Sequence, residues 1–191
     1  MLNHIGTREV ETPRLILRRF KIEDAEQMYN NWASDPDVTK YLSWAVHKDK
    51  SETESIIKSW ISEYSNNKKY GWCITLGKTG EVIGGIDVVK MFENEECCEI
   101  GYVLSQKFWN KGIMTEALYA VLGYLFEKVG FHRIQLKHDV ENIASGKVML
   151  KNGLKREGIL RECEKTVDGG WRDMIIYSVL DREFKETKKR L

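Results

Sequence analysis

The sequence predicts an α/β protein with a mixed, mostly antiparallel sheet of six to seven strands and helices on both faces. Two observations carry this prediction. Short apolar runs bounded by glycines and polar residues are typical of strands, and most of them follow one another as hairpins. Only the middle of the chain alternates strand, helix, strand and helix. The order β-α-α-β-β-β-α-β-α-β-β therefore excludes a doubly wound parallel sheet.

In the first half of the chain, a strand and two helices precede the first hairpin. Residues 14–20 alternate in polarity and predict the first strand. Residues 22–33 predict a short helix that ends before Pro36. Ser51 and Glu54 have the spacing of a capping box, and apolar residues follow them at helical spacing. This segment therefore predicts a second, longer helix.

Turn residues divide the rest of the chain. Gly77–Gly80 joins two apolar runs and predicts a hairpin, and Asp168–Gly170 separates two long strands near the end. Residues 95–105 and 132–140 predict two further strands, each followed by a helix. Asp181–Lys188 predicts a last helix. The apolar face of the longer middle helix consists of Leu118, Val121, Leu122, Leu125, Phe126 and Val129.

The composition predicts one globular domain over residues 1–191. Hydrophobic residues make up 42%, charged residues 31%, and the net charge is +1, which gives no field that would draw the protein to nucleic acid. No apolar run approaches the roughly 20 residues that span a membrane. Residues 1–11 lack the apolar core of a signal peptide, and residues 185–190 predict a solvated helix end. We therefore expect a cytoplasmic protein with no nucleic-acid or membrane partner.

The cysteines predict neither disulfides nor a metal site. None stands in a C-x-x-C pair, and we expect all of them to be reduced and buried or half-buried. His132 and His138 lie on one predicted strand without a third ligand nearby, so no metal is expected. The four cysteines are Cys73, Cys97, Cys98 and Cys163.

The stretch FWNKGIMTEAL, residues 108–118, places a glycine-centred loop directly before an amphipathic helix. A helix start carries free backbone N–H groups and partial positive charge, which together favour a phosphate. Gly112 lets the main chain approach a ligand, Asn110 tolerates left-handed conformations, and Lys111 adds a cation. The lysine precedes the glycine, so this is not a Walker A loop. From these residues alone, an ordinary turn before a helix is the favoured interpretation.

Four stretches in this order resemble the GNAT acetyltransferases, and specifically the Rim group of ribosomal-protein N-terminal acetyltransferases. They are residues 11–29 with the pattern T-x-R-L-x-L-R, residues 80–86, residues 98–118 and residues 140–162. The resemblance covers nearly the whole chain, from Glu11 to Val179. It implies the GNAT fold, with a central pair of parallel strands that splay apart.

The resemblance also implies acetyl-coenzyme A as the cofactor, bound in the V between Glu95–Leu104 and Arg133–Val140. It implies that Asn142 contacts the pantetheine arm and that Ser145 lies near the sulfur. Of the general loop pattern only Gly112 is kept. The pantetheine arm is expected along the main chain of Tyr102, Val103 and Leu104. The pyrophosphate is expected on the loop formed by Trp109, Asn110, Lys111, Gly112, Ile113, Met114 and Thr115.

Acetyl transfer to an amine requires a neutral amine and a proton or hydrogen bond for the departing thiolate. Glu99, on the strand that enters the cofactor site, is the candidate base, and a sheet carboxylate paired with a lysine is the alternative. Ser145 is the candidate acid, although serine also favours the first turn of a helix. Asn142 carries the same capping alternative. Many GNAT enzymes use a tyrosine acid, and this segment has none.

A primary amine is the expected acceptor. A free α-amine has a pKa of about 7.7–8.0 and a lysine about 10.4, so an N-terminal acetyltransferase needs only a modest base. We favour a protein N-terminal α-amine, attacked directly in a ternary complex by a monomer or homodimer. Small amines and a coenzyme A-binding regulatory module without turnover are the alternatives. Candidates for an aromatic substrate pocket, which can equally be core residues, are Trp32, Tyr41, Trp44 and Trp72.

Overall fold

The computed structural model describes residues 1–188, and its frame is an open sheet of eight strands in the order β1-β2-β3-β4-β5-β6-β8-β7. Every neighbouring pair is antiparallel except β5 and β6, which run parallel. The strands are β1 (Val10–Glu11), β2 (Leu15–Arg18), β3 (Gly71–Leu76), β4 (Val82–Phe92), β5 (Cys97–Leu104), β6 (Arg133–Asp139), β7 (Lys155–Lys165) and β8 (Trp171–Leu180).

Six α-helices accompany the sheet in the described part of the chain. They are α1 (Ala25–Met28), α2 (Pro36–Thr39), α3 (Lys50–Glu63), α4 (Ile113–Tyr124), α5 (Ile143–Lys151) and α6 (Asp181–Lys188). Wider π-turns extend α1 and α4, over Tyr29–Ala33 and Leu125–Val129. Short 3₁₀ turns lie at Ile22–Asp24 and Gln106–Phe108. None of the helices within residues 1–188 combines the length and the apolar character that a membrane crossing requires.

The fold class is confirmed, with two differences from the sequence predictions. The sheet has eight strands because Val10–Glu11 pairs with β2, and a two-residue strand is too short to show a period. The capping box at Ser51 is wrong: the N-cap of α3 is Asp49. Its carboxylate accepts hydrogen bonds from the backbone N–H groups of Ser51 and Glu52.

Two apolar clusters cover the two faces of the sheet. The larger packs α4 against the strands and includes Leu118 and Leu122. The smaller lies beneath α1 and α3 and includes Ile57 and Trp32. Side chains alternate along a strand, so β5 contributes to both clusters. All four cysteines are free, and Cys163 is exposed rather than half-buried.

The parallel strands β5 and β6 part soon after they meet. They pair only where Cys97–Glu99 lies beside Arg133–Gln135. Beyond Glu99, β5 continues to pair with β4 as far as Leu104, while β6 pairs with β8. The predicted V-shaped opening is therefore present, and β5 borders it with main-chain groups that no strand of the described chain covers on that side.

Candidate functional site

A cavity of about 600 Å³ occupies the V between β5, the loop before α4 and the start of α5. Within residues 1–188, no three His, Cys, Asp or Glu side chains group as a metal ion would require. Lys111 does not line this cavity, because its ammonium is exposed and donates to the carbonyl of Lys107 at 2.8 Å. The predicted cofactor residues that line it are Tyr102, Val103, Leu104, Trp109, Asn110, Gly112, Ile113, Met114, Thr115, Asn142 and Ser145.

The loop before α4 presents a helix N-terminus to this cavity. Asn110 and Gly112 adopt left-handed backbone angles, with φ of 59° and 72°, which asparagine and glycine tolerate best. Gly112 is the N-cap of α4, and no side chain caps that end. The N–H groups of residues 113–115 thus keep the donors and the positive dipole end that suit an anion.

Two side chains fix the shape of the loop. The indole N–H of Trp109 donates to the carbonyl of Leu104 at 2.8 Å and ties the loop to the end of β5. Arg14, the residue before β2, donates to the carbonyl of Lys111 at 2.9 Å. The carboxylate of Glu116 in α4 holds Arg14 in turn. It accepts hydrogen bonds from the backbone N–H and the guanidinium of Arg14, and from the Thr12 hydroxyl.

We expect Glu116→Gln to lower the free energy of unfolding at pH 7 by about 1.5–3 kcal/mol, because it removes a carboxylate that accepts several hydrogen bonds. Burial opposes ionisation of Glu116, but hydrogen bonds from Thr12 and Arg14 outweigh it and hold the pKa of this carboxyl below its usual value. A depressed pKa stabilises the fold above the unfolded-state value of about 4.3, and that contribution is lost as the pH falls through the folded-state value.

Urea unfolding at pH 7 and below pH 4 measures the difference. Glu81→Gln, in the β3–β4 turn, is the matched control and should change little at either pH. A loss of stability in Glu116→Gln that is equally large at both pH values would contradict this account of the clamp.

A pair of hydroxyl groups lies at the cavity wall between β5 and α5. The Tyr102 hydroxyl is 2.8 Å from Ser145 Oγ and donates to the Ser145 carbonyl at 3.1 Å. Burial raises the pKa of the Tyr102 phenol well above its usual value, so this group stays protonated at neutral pH. Asn142 is the N-cap of α5 and accepts from the backbone N–H of Ser145 at 3.2 Å, so the capping alternative for Asn142 holds beside its place at the cavity.

The Tyr102 hydroxyl is the functional group that the sequence did not point to. The family resemblance implied only the main chain of Tyr102 at the site, and the α5 segment lacks the tyrosine acid that many GNAT enzymes use. Strand alternation could have found it, because Tyr102 shares a face of β5 with Cys98 and Ile100, the face that α4 covers.

Glu99 lies on the opposite face of β5, 5% exposed, at the point where the V begins. Gln135 donates to one carboxylate oxygen at 2.9 Å, and the Lys137 ammonium lies 3.2 Å from the other. Lys137 also pairs with Glu164, and Lys90 approaches Glu99 at 3.9 Å. The alternative of a sheet carboxylate paired with lysine is thus what the structure shows. Both oxygens are engaged, and a role of Glu99 as base stays a prediction.

The four aromatic residues predicted to wall a substrate pocket do not come together. Tyr41 lines the cavity, beside the start of α5. Trp44 is half-buried and packs on His47, with ring centroids 5.0 Å apart. Trp32 and Trp72 are fully buried in two different core clusters. The assignment of Trp32 and Trp72 to a substrate wall is therefore wrong, because their apolar bulk is used in packing.

The sheet with its splayed parallel pair, and the uncapped helix at the V, define the fold of an acyl-coenzyme A-dependent transferase. Residues 14–155 match the family model of the acetyltransferase (GNAT) domain, and the chain belongs to the GNAT acetyltransferases. It is an N-acetyltransferase of this family, whose members use acetyl-coenzyme A as the acyl donor. The splayed main chain and the free N–H groups of α4 fit the amide-rich arm and the pyrophosphate of that donor.

Curated relatives and solved structures share this assignment. The uncharacterized N-acetyltransferase p20 of Bacillus licheniformis is 32% identical over 91% of this chain and 96% of its own length. The ribosomal protein uS5-alanine N-acetyltransferase of Escherichia coli is 26% identical over 70% of this chain and 80% of its own. The crystal structure of a GNAT acetyltransferase from Bacillus anthracis has a TM-score of 0.81 and 31% identity, covering 92% of this chain and all of that one.

Proposed function

We propose that this enzyme acetylates a protein N-terminal α-amine, as a ribosomal-protein-type N-acetyltransferase. Two observations carry the proposal together: the splayed cleft beside β5, and a relative whose name is ribosomal protein uS5-alanine N-acetyltransferase. Physical chemistry supports the same choice. An α-amine with a pKa of about 7.7–8.0 is partly neutral at pH 7, whereas a lysine amine at about 10.4 is almost fully charged.

The cofactor contacts form part of this proposal. The main chain of residues 102–104 pairs with the pantetheine arm, and the N–H groups at the start of α4 bind the pyrophosphate. Asn142 contacts the arm from α5. The loop is held in shape by Trp109 and Arg14, neither of which needs to touch the cofactor to do so.

The bound thioester supplies an activated acetyl carbon, and the residues around the V supply the proton transfers. Ser145, hydrogen-bonded to Tyr102, donates to the departing sulfur. The amine attacks directly rather than through an acetyl-cysteine. Burial raises the pKa of the Cys98 thiol well above its usual value, and such a thiol is a poor nucleophile. Three buried free cysteines also support a reducing, cytoplasmic setting.

Release of the coenzyme A thiol, measured against a panel of amines, tests the function. The panel contains peptides with a free N-terminal α-amine, the same peptides with a blocked N-terminus, spermidine and an aminoglycoside. We expect turnover on the free peptides and little on the blocked ones. Turnover on spermidine or the aminoglycoside alone would replace the proposed acceptor with a small amine. Acetyl-coenzyme A binding without turnover on any amine would favour a regulatory module.

A further inference from the structure

Asp87 is a carboxylate on the strand next to β5, and no sequence pattern singled it out. It lies in β4, where its cross-strand neighbours are Gly71 in β3 and Gly101 in β5. Neither glycine has a side chain to cover it. A Cβ placed on Gly101 would lie 3.9 Å from Asp87 Oδ1, so the carboxylate faces the same side of β5 as Gly101.

The Asp87 carboxylate is half-buried, and within residues 1–188 neither a hydrogen bond nor an ion pair holds its oxygens. Lys69, whose positive charge acts on Asp87, forms its ion pair with Glu63 at 2.8 Å. Glu99, on the same face, has both oxygens engaged by Gln135 and Lys137. An unpaired carboxylate at low exposure is costly to the fold. Such a group is ready to accept a cation or a proton.

The position of Asp87 is complementary to that of the hydroxyl pair. Gly101 and Tyr102 are consecutive, so their side chains point to opposite faces of β5. Tyr102 meets Ser145 on one face, and Asp87 lies beside Gly101 on the other. An amine adds to a face of the planar thioester carbonyl, and the reaction needs a base at the nitrogen and a proton donor at the sulfur. The free carboxylate and the hydroxyl pair, on opposite faces of β5, can serve these two atoms separately.

We propose that Asp87 binds the ammonium form of the acceptor amine and takes its proton before attack. This rests on the proposed function. One proton passes from the ammonium nitrogen to Asp87 and then to solvent. The N–C bond forms as the C–S bond breaks, the sulfur takes a proton from the Ser145–Tyr102 pair, and the second nitrogen proton restores that pair. The products are the acetamide, the coenzyme A thiol and one released proton.

The titration of Asp87 supports this geometry. Burial raises the pKa of Asp87 to about 6. The positive charge of Lys69 acts to lower this pKa, and the negative charge of Glu63 acts to raise it. Tyr64, whose hydroxyl donates to the carbonyl of Gly71, is a further titratable group at this end of α3, and the Arg19 guanidinium lies 5.1 Å from the centroid of its ring. Along the face of β5, the next charged groups are Glu99 and the lysines that approach it. A carboxylate that titrates near 6 is ionised at neutral pH and close enough to an α-amine to accept its proton.

The test compares Asp87→Asn, Glu99→Gln and Glu63→Gln on whichever panel amine the wild-type enzyme turns over fastest. We expect Asp87→Asn to lower kcat/KM for the amine on the order of 10²-fold at pH 7, with acetyl-coenzyme A affinity unchanged. The loss should shrink toward pH 9, where the amine is neutral without help, and the acid limb near pH 6 should disappear. Glu63→Gln, which removes the ion-pair partner of Lys69 and leaves the Asp87 carboxylate in place, should stay within about threefold of wild type.

Several outcomes overturn the assignment. If the kcat/KM of Asp87→Asn stays within threefold of wild type at every pH, Asp87 is not the base. If Glu99→Gln shows the larger, pH-dependent loss, the role belongs to Glu99. Misfolding is checked by thermal unfolding, where Asp87→Asn should match or exceed wild type at pH 7 because an unpaired charge is removed. Wild-type turnover on a small amine but not on peptides overturns the proposed function alone. Silence on every amine overturns both.

Discussion

Replacing Gly84 with alanine is expected to lower the free energy of unfolding by about 2–3 kcal/mol and to weaken acetyl-coenzyme A binding in the same variant. Gly84 lies in β4 opposite Leu104. A Cβ there would lie 2.4 Å from the Val103 carbonyl oxygen and 3.2 Å from Leu104 Cα. These are backbone atoms that cannot rotate away. Either β4 or the end of β5 has to move, and the end of β5 borders the cofactor cavity.

The control for this substitution is Gly123→Ala in α4. A Cβ at Gly123 would approach the Phe184 ring only to 3.7 Å, an ordinary contact. Alanine in a helix interior is favoured over glycine by roughly 0.5–1 kcal/mol, so this variant should be as stable as wild type or more stable. Urea unfolding and calorimetric titration with acetyl-coenzyme A measure both effects. A Gly84→Ala protein with wild-type stability and affinity would mean that β4 and β5 are not packed as described.

Removing either hydroxyl of the Tyr102–Ser145 pair is expected to lower kcat on the order of 10²-fold, the usual contribution of a positioned proton donor. Ser145→Ala removes the group proposed to face the sulfur, and Tyr102→Phe removes its partner 2.8 Å away. Groups that act as a unit are not additive. The double variant should therefore lose little more than the single ones, while the affinity for acetyl-coenzyme A changes less than kcat.

Tyr119→Phe is the matched control for the tyrosine substitution. Tyr119 is a half-buried residue of α4 that packs on Phe184, with ring centroids 5.3 Å apart, and it does not line the cofactor cavity. Its kcat should stay near wild type. Additive losses in the double variant, or a Tyr102→Phe enzyme as active as Tyr119→Phe, would argue that Tyr102 only packs and that Ser145 acts without it.

Most of the fold could be predicted from the sequence because its evidence is local. The hairpin at Gly77–Gly80 and the loop at Gly112 are carried by residues whose conformational preferences act over a few positions. The pair β5 and β6 was anticipated through family resemblance rather than from periodicity. The cap at Asp49 was missed because Ser51 and Glu54, which begin two residues later, also match the capping-box pattern.

The site was predictable in its main-chain parts and less so in its side chains. The family resemblance assigned the residues expected to bind the cofactor, and nearly all of them line the cavity in the V. Partners across the sheet have no trace in a single sequence. That Lys137 engages Glu99, that Tyr102 reaches Ser145, and that two glycines flank Asp87 depend on strand register. Register also decides that Trp72 is a core residue, whereas Trp32 is buried by the packing of the π-turn that extends α1.

One substrate added to the amine panel tests the central claim most directly: a peptide that carries both a free α-amine and an internal lysine. After incubation with acetyl-coenzyme A, fragment-ion mass spectrometry locates the acetyl group on one amine or the other. We predict acetylation at the α-amine alone, at a rate that falls in Ser145→Ala. Acetylation of the lysine side chain, or an unmodified peptide in a mixture where a small amine is acetylated, would contradict the proposed function.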